Sequence, residues 1–422
     1  MDVKDLNLTT DITRLFDFTL NDEARAALKK MLATPLPDAE SVIARQHIFK
    51  GFIANMPKIQ AYSYSKIDFR EVEHFLAGYS DKHFLPKRLK MKLFFSKAKY
   101  HRFRGHCIQV ILLYHRLYTQ YTGILNAEHF PEGYKKELGF INNYLQSFRT
   151  EYYENLVRNG SFGIREIVEI IRIISAKKKS METDAFREKY TLFEAYLSAA
   201  MGMHRYGFVF PKIEGTGIAL HDFYHPVLTH PVKNSFEATT NVILLTGPNM
   251  SGKSTLLKAI SLCVYLGNIG FAVPAGAARI PFYSDISAYI NLNDDLQSGY
   301  SHFMGEVMNL KKVVTQSNTG TPCFAVFDEL FRGTNIDDAL DISTTTLNGL
   351  LKFKNALFFI SSHLHQLTET EAVKNGSIAC YYLDCTVEGN IPKFNYTLKP
   401  GYTHLRVGRL LFEKEGLTHM LK

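Results

Sequence analysis

The chain has 422 residues, of which 46% are hydrophobic and 21% are charged, and its formal net charge is +8. This composition supports large buried cores and excludes wholesale disorder. It also lacks an apolar run long enough to span a membrane, and its acidic N-terminus is unlike a secretory signal peptide. We therefore expect a soluble, cytoplasmic protein of roughly two to four domains.

The first 200 residues have mostly helical periodicity. Asn21 is predicted to cap one helix, and the next helix is predicted to point Ile43, Ile48 and Phe52 inwards. Longer helical stretches are predicted at 108–121, 134–156, 164–174 and 192–203. An all-α domain over residues 1–204 is the resulting expectation.

A basic segment lies inside this helical half. The whole excess of positive charge falls within the first 200 residues, and residues 82–127 contain no Asp or Glu. Basic residues interleaved with apolar and aromatic ones can follow a phosphate backbone, although a solvated helix face without any ligand is the alternative. The candidate nucleic-acid contacts are Lys87, Arg88, Lys90, Lys92, Lys97, Lys99, Arg102 and Arg104. The segment indicates DNA as a partner and no preferred sequence.

Beyond residue 205 the predicted elements become shorter. Strands are predicted at 242–246, 323–327 and 356–362, with helical stretches between them. This alternation is typical of an open, mostly parallel sheet. The second domain, 205–422, is therefore predicted to be an α/β domain, and the loop after its first strand, at 247–255, assigns it to the P-loop NTPase class.

The sequence GPNMSGKST at 247–255 directly follows the first of these strands. A strand, a glycine-bounded loop and a helix start form a phosphate cradle, because backbone N–H groups and the helix dipole favour an anion. Lys253 is predicted to reach the β- and γ-phosphates, and the Ser254 hydroxyl is predicted to bind Mg²⁺. The predicted nucleotide-binding residues are Gly247, Pro248, Asn249, Met250, Ser251, Gly252, Lys253, Ser254 and Thr255.

Acidic and imidazole side chains follow the other two strands. Asp328 and Glu329 end the second strand, and His363 follows the third. Since the carboxyl ends of parallel strands share one edge of a sheet, we expect these side chains beside the phosphate cradle. Asp328 is predicted to hold Mg²⁺, Glu329 to act as general base or to orient water, and His363 to sense the γ-phosphate.

Five ordered motifs resemble the ATPase domain of the MutS mismatch-repair proteins, a branch of the ABC-type ATPases. They are TGPNMSGKST at 246–255, FAVPA at 271–275, NDDLQSGYSHFMGEV at 293–307, DELFRGTNIDD at 328–338 and SSHLHQL at 361–367. Residues 11–55 are also similar to the start of the family's helical core. The resemblance implies ATP and Mg²⁺ as ligands, a homodimer joined through the ATPase domains, DNA binding, and a role in mismatch repair.

The same resemblance implies a composite active site. Ser301 would be contributed across the dimer to the γ-phosphate of the partner's ATP, and Asn249 would contact nucleotide. A serine hydroxyl at a helix start can donate to a phosphoryl oxygen as charge spreads, although a plain N-cap would use the same residue.

Several departures from the family affect the expected biological role. The mismatch-reading domain is not found before the helical core, and few residues remain for a DNA-gripping clamp. Phe331 stands where the repair proteins usually carry glycine, and Pro231 stands where an aromatic commonly stacks on adenine. These departures bear on direct mismatch recognition and on nucleotide identity, and they leave the expectation of triphosphate binding unchanged.

Three hypotheses remain at this point. The first is a MutS-like ATPase in which ATP closes a dimer and helical arms transmit the change to DNA, in repair or in recombination. The second is an ATP-switched protein of the same type whose partner is another protein. The third is a small-molecule kinase, which shares the phosphate cradle but has no use for Ser301 or His363 at these spacings.

Overall fold

The computed structural model describes residues 1–59, 61–78, 86–248, 250–290, 302–388, 391–403, 405, 412–413 and 416–421. The chain forms two compact units. One contains Met1–Leu15, Leu32–Gln46 and Arg205–Lys422, and the other contains Phe16–Met31 and His47–His204. The domain boundaries at 1–204 and 205–422 stay a prediction, because compactness does not show which pieces fold independently.

The first half of the chain is helical, as predicted. Its α-helices are α1 (Thr13–Phe16), α2 (Asp22–Ala33), α3 (Ala39–Ala54), α4 (Met56–Ile59), α5 (Lys66–Gly78), α6 (Pro86–Phe95), α7 (Lys97–Leu117), α8 (Glu132–Ser147), α9 (Thr150–Arg158), α10 (Ile164–Lys179) and α11 (Glu182–Tyr206). Short 3-10 or π turns cover Lys4–Leu6, Leu8–Ile12, Tyr118–Thr122 and Ala127–His129.

Two helical predictions need correction. The stretch 134–156 is two helices rather than one, because Arg149 takes a left-handed conformation with φ of 49° between α8 and α9. In α3 the buried stripe runs through Val42, Gln46, Phe49 and Phe52, whereas Ile43 is 38% exposed. Ile43 lies one residue from the stripe, which turns its side chain by about 100°. Its predicted inward orientation was wrong.

Asn21 caps α2 as predicted, and it also belongs to a buried polar cluster. Its side-chain oxygen accepts a hydrogen bond from the Ala24 amide at 2.7 Å, while its NH₂ group donates to Tyr64 and to Glu194. The Glu194 carboxylate is only 1% exposed, and it also accepts from the hydroxyls of Tyr62 and Tyr64. A buried carboxylate is tolerated when donors surround it in this way.

The second half contains two sheets. The strands are β1 (Ala219–Phe223), β2 (Asn234–Glu237), β3 (Val242–Thr246), β4 (Ala277–Arg279), β5 (Asp285–Tyr289), β6 (Cys323–Phe327), β7 (Ala356–Ser361), β8 (Ala379–Glu388) and β9 (Ile391–Pro400). The order in the larger sheet is β5-β6-β7-β3-β8-β9, and the smaller sheet is β2-β1-β4. Every neighbouring pair in the larger sheet is parallel except β8 and β9. The predicted mostly parallel sheet is confirmed.

The α-helices whose bounds the structure describes in this half are α12 (Lys253–Asn268), α13 (His302–Ser317), α14 (Ile336–Leu350), α15 (Glu371–Lys374) and α16 (Leu417–Met420). A 3-10 turn covers His365–Glu369. Among the residues that the structure describes, no helix is both long enough and apolar enough to cross a membrane.

The sheet order determines where the functional side chains meet. Strands β6, β7 and β3 are direct neighbours, and all of their residues are buried. Because they are parallel, their carboxyl ends lie side by side, and the segments after all three strands meet at one edge.

Candidate functional site

The loop between β3 and α12 has a backbone that glycine adopts most readily. Gly247 has a φ of 137° and Gly252 a φ of 94°, and Met250 between them is also left-handed. Helix α12 begins at Lys253, directly after this loop. The loop and the first turn of α12 therefore form the strand, loop and helix start of a phosphate cradle. Asn249, a predicted nucleotide contact, lies outside the described residues.

The Lys253 side chain points back into this loop. Its amine donates to the carbonyl oxygens of Gly247 at 2.9 Å and Pro248 at 3.2 Å, and the residue is 5% exposed. Burial lowers the pKa of the Lys253 amine, and the nearby carboxylates of Glu329 and Asp328 oppose that effect. The amine is thus held within the loop that would surround a bound phosphate.

Asp328 connects the ends of two strands with the start of α12. The Ser254 hydroxyl, in the first turn of α12, donates to the Asp328 carboxylate at 2.5 Å. The Ser361 hydroxyl, at the end of β7, donates to the other carboxylate oxygen. Asp328 itself follows β6 and is 7% exposed. One carboxylate therefore fixes the predicted metal-binding hydroxyl of Ser254 relative to the sheet edge.

Glu329 lies next to the histidine predicted for this edge. Its carboxylate is 2.6 Å from Nε2 of His363 and also accepts a hydrogen bond from Arg332 at 3.0 Å. Its backbone is left-handed with a φ of 56°, and its amide donates to the Ser361 hydroxyl at 2.8 Å. The His363 hydrogen bond, followed by that from Arg332, lowers the pKa of Glu329 to about 2. Glu329 is therefore ionised throughout the neutral pH range.

The residues around the loop fit a bound nucleotide with magnesium. The Ser251 hydroxyl is buried without a hydrogen-bond partner in the described part of the chain, so a phosphate oxygen would satisfy it. Ser254 and Asp328 supply the one hydroxyl and one carboxylate that Mg²⁺ commonly takes from protein when phosphates complete its shell. Within the described ranges no cluster of three or more His, Cys, Asp or Glu side chains could hold a metal alone.

A cavity of about 360 Å³ opens beside the loop. Ser251, Gly252 and Thr255 line its phosphate side, and its other lining residues include Tyr224, His225, Leu228, His230, Val232 and Tyr396. Gly252 permits the close approach of Tyr396, since a Cβ there would lie 3.1 Å from the tyrosine ring. The cavity has the size and mixed polarity of a small-ligand site and adjoins the phosphate cradle.

The structure brings together five of the predicted site residues: Lys253, Ser254, Asp328, Glu329 and His363. Ser301 lies outside the described residues, so its predicted position is untested. Sequence reasoning assigned no role to Ser361, Arg332 or Tyr396. Ser361 stands in the SSHLHQL motif. A serine at the end of an apolar strand, at the sheet edge predicted for Asp328, was the signal in the sequence that could have identified it.

The predicted nucleic-acid contacts lie in the helical unit. Lys90, Lys92, Lys97, Lys99 and Arg102 are exposed. Arg104 is half-buried and donates to the carbonyl of Phe162 at 3.2 Å, which makes it a structural contact as well. The side chains of Lys87 and Arg88 lie outside the described part.

A glycine-bounded loop between a central parallel strand and a helix, with Asp328 and Glu329 directly after β6 at the same edge of the sheet, defines a P-loop nucleoside triphosphatase. Residues 243–415, from β3 to beyond β9, match the family model described as MutS domain V. Residues 243–415 therefore form a MutS domain V, which is an ATPase domain.

Similar proteins bear MutS names. The chain is 26% identical over 301 residues to the DNA mismatch repair protein MutS of Lysinibacillus sphaericus, covering 68% of this chain and 33% of that protein. It is 28% identical over 307 residues to that of Carboxydothermus hydrogenoformans, covering 68% and 35%. MutS protein homolog 4 of Mus musculus is 28% identical over 316 residues, covering 72% and 31%. The chain spans about a third of the length of these relatives.

The low pKa of Glu329 predicts a specific pH dependence of stability. A carboxyl whose folded pKa is about 2, against an ordinary 4.5, contributes stability above pH 4.5 that is lost as the pH falls towards 2. We expect wild type to be more stable than Glu329→Gln at neutral pH and this difference to shrink across that acid range. Urea unfolding followed down to the lowest pH of cooperative unfolding measures it.

The exposed carboxylate of Glu371 on α15 provides the control, since Glu371→Gln removes the same charge without touching the hydrogen bonds that His363 and Arg332 make to Glu329. A stability difference between wild type and Glu329→Gln that stays constant over the acid range would contradict the assigned hydrogen bonds.

Proposed function

We propose that this chain hydrolyses ATP in a homodimer with composite active sites and couples that turnover to DNA binding. The convergence of Lys253, Asp328 and Glu329 at one sheet edge carries the catalytic part of this proposal. These groups match the requirements of phosphoryl transfer to water, where catalysis is mainly positioning and charge stabilisation.

The residues of this chain would divide the work as follows. The loop amides, the Ser251 hydroxyl and the Lys253 amine would bind phosphate oxygens. Ser254 and Asp328 would hold Mg²⁺, which neutralises phosphate charge when bound. The cavity beside Gly252 would receive the base, and the ring of Tyr396 would contact it. Pro231 has no aromatic ring and so cannot stack on the base.

Glu329 would orient the attacking water rather than remove its proton completely. General bases work best when their pKa lies near the operating pH, and the pKa of Glu329 is held near 2. An ionised carboxylate still accepts a hydrogen bond from water and aligns it for attack. His363, 2.6 Å away, would keep that carboxylate in place.

Replacing Glu329 by Gln tests this assignment. We expect Glu329→Gln to bind ATP almost as well as wild type and to turn it over about a hundredfold more slowly or worse, because a neutral amide replaces the ionised carboxylate that would accept the hydrogen bond of the water. ATP binding by equilibrium titration and phosphate release under saturating ATP measure the two effects.

Lys253→Ala is the comparison variant, since it should lose ATP binding itself. If Glu329→Gln retained wild-type turnover, or lost ATP binding as Lys253→Ala does, the role of Glu329 would be refuted.

The site in one protomer is open on the Glu329 side, which supports a composite site. His363 is 36% exposed and Arg332 is 73% exposed, although both contact the buried edge through Glu329. Catalysis of phosphoryl transfer benefits from exclusion of bulk water and from donors around the γ-phosphate. A second protomer contributing Ser301 would supply both.

Mixing two inactive variants tests the composite site. A dimer of Lys253→Ala with Ser301→Ala would contain one complete site, because the intact lysine and the intact serine come from different chains. We expect the mixture to hydrolyse ATP several-fold faster than the sum of the two separate variants. Steady-state turnover after subunit exchange is the measurement.

The control is a mixture of Lys253→Ala with Glu329→Gln, whose two lesions lie in the same half-site. Turnover in the test mixture equal to the sum of its separate components would show that each site is complete within one chain.

DNA binding is the second part of the proposal. Five exposed cations on α6 and α7 support it, and two of the relatives are named DNA mismatch repair proteins. We propose a cytoplasmic protein in which ATP-driven closure of the dimer acts on DNA, with mismatch repair as the process. Direct reading of mismatches is not part of this proposal.

Neutralising part of the basic face tests DNA binding. We expect Lys97→Gln combined with Lys99→Gln to weaken DNA binding and to reduce the slope of log Kd against log salt concentration by about one per lost phosphate contact. Fluorescence anisotropy with a blunt duplex at several salt concentrations measures both.

The matched control is Lys29→Gln combined with Lys30→Gln, which removes two exposed lysines from α2. An equal loss in both double variants would show that only net charge matters, and an unchanged salt slope for the α7 variant would remove this face from the DNA interface.

A further inference from the structure

The corner between α6 and α7 exposes two large aromatic rings. Phe94 and Phe95, the last residues of α6, are 74% and 81% exposed, and their ring centroids are 5.4 Å apart at 86°. Ser96 then caps α7 by accepting a hydrogen bond from the Lys99 amide. A single residue therefore separates the two helices, and both rings next to it are exposed. We refer to Phe94 and Phe95 as the aromatic corner.

Packing of α6 against the core does not require the two rings of the aromatic corner. Leu89 and Leu93 of α6 are 1% and 2% exposed, so they anchor the helix through its opposite face. Two phenylalanine rings that are mostly exposed lose most of the free energy that burial of this side chain normally contributes. We therefore expect the two rings to contact a binding partner.

Exposed cations surround the aromatic corner on both helices. Lys90 lies on α6, and Lys97, Lys99 and Arg102 lie on the first turns of α7. None of these four side chains forms an ion pair within the part of the chain described. Over residues 82–127 the sequence contains no acidic side chain that could neutralise them. The partner must therefore combine negative charge with flat apolar surfaces.

Nucleic acid with exposed bases has this combination, since each base offers a stacking face and each linkage a phosphate. A second copy of the same face would bring cations against cations. A lipid surface fits less well, because among the described residues of α6 only Met91, Phe94 and Phe95 expose large apolar side chains, and interfacial binding scales with apolar area.

We propose that the aromatic corner stacks on unpaired bases of DNA while Lys90, Lys97, Lys99 and Arg102 contact the adjoining phosphates. The protein would therefore prefer DNA containing a single-stranded segment to a fully paired duplex. This inference rests on the proposed DNA binding and adds the class of DNA structure to it.

The test compares two DNA probes and one double variant. The probes are a blunt duplex and a partly single-stranded duplex with the same number of phosphates, and the protein is the full chain. We expect wild type to bind the partly single-stranded probe about tenfold more tightly, the effect of one base stacked on an aromatic ring. Phe94→Ala with Phe95→Ala should abolish that preference and leave blunt-duplex affinity, salt slope and basal ATP hydrolysis unchanged.

Two controls accompany the double variant. Tyr152→Ala removes another exposed aromatic ring of the same unit, 47% exposed, and should leave the preference intact. Phe94→Leu with Phe95→Leu keeps apolar side chains but no flat ring, and it should lose the preference as the alanine variant does. Thermal unfolding of each variant checks that the fold is retained.

The outcomes separate this inference from the function on which it rests. Failure to bind either DNA at low salt would refute the DNA part of the proposed function. Binding of both probes with equal affinity, or a preference that survives in the Phe94→Ala and Phe95→Ala variant, would refute the aromatic corner alone. Phenylalanine-dependent binding to phosphatidylserine vesicles without any effect on DNA would assign the corner to lipid instead.

Discussion

The Asp328 carboxylate is the group on which the geometry of the site depends. It receives the hydroxyls of Ser254 and Ser361, so it connects the end of β6 to the start of α12 and to the end of β7. A buried carboxylate is tolerated only with such donors. Ser361 in turn accepts the amide of Glu329, which fixes the turn that presents the second carboxylate. The start of α12, the Asp328 carboxylate and the turn that carries Glu329 thus share one hydrogen-bonded chain.

Sequence reasoning correctly predicted the features that depend on residues close together in the chain. Strands β3 and β6 were predicted with the bounds observed, because short apolar runs ended at distinctive motifs, and the Asn21 cap followed from one side chain. The contacts of Ser361 and the position of Tyr396 depend on which strands become neighbours, and periodicity does not contain that information. The helix break at Arg149 was not predicted, because no glycine in the sequence indicates its left-handed backbone.

Phe331 shows how the chain accommodates a departure from its family. Its φ of 65° is one that glycine adopts freely and other residues adopt at a cost of about 1–2 kcal/mol. The ring is 1% exposed and lies 6.0 Å from that of Phe303, and full burial of phenylalanine is worth about 1.5–3 kcal/mol. Burial offsets the backbone cost, so phenylalanine and glycine are compatible with the same turn. Phe331 thus packs against Phe303 of α13 while its backbone adopts a conformation that glycine would also adopt.

The hydrogen bonds of Glu329 also link its basicity to the open side of the site. Its pKa is held near 2 by His363 and Arg332, and the Arg332 side chain is 73% exposed. Any anionic group that draws the guanidinium away would raise the pKa of Glu329 and make it a stronger acceptor for the proton of water. A phosphate or a carboxylate of a partner subunit has the required charge. The basicity of the Glu329 carboxylate would then depend on which group approaches the exposed face. Assembly of the proposed composite site would in this way change the chemistry of Glu329 directly.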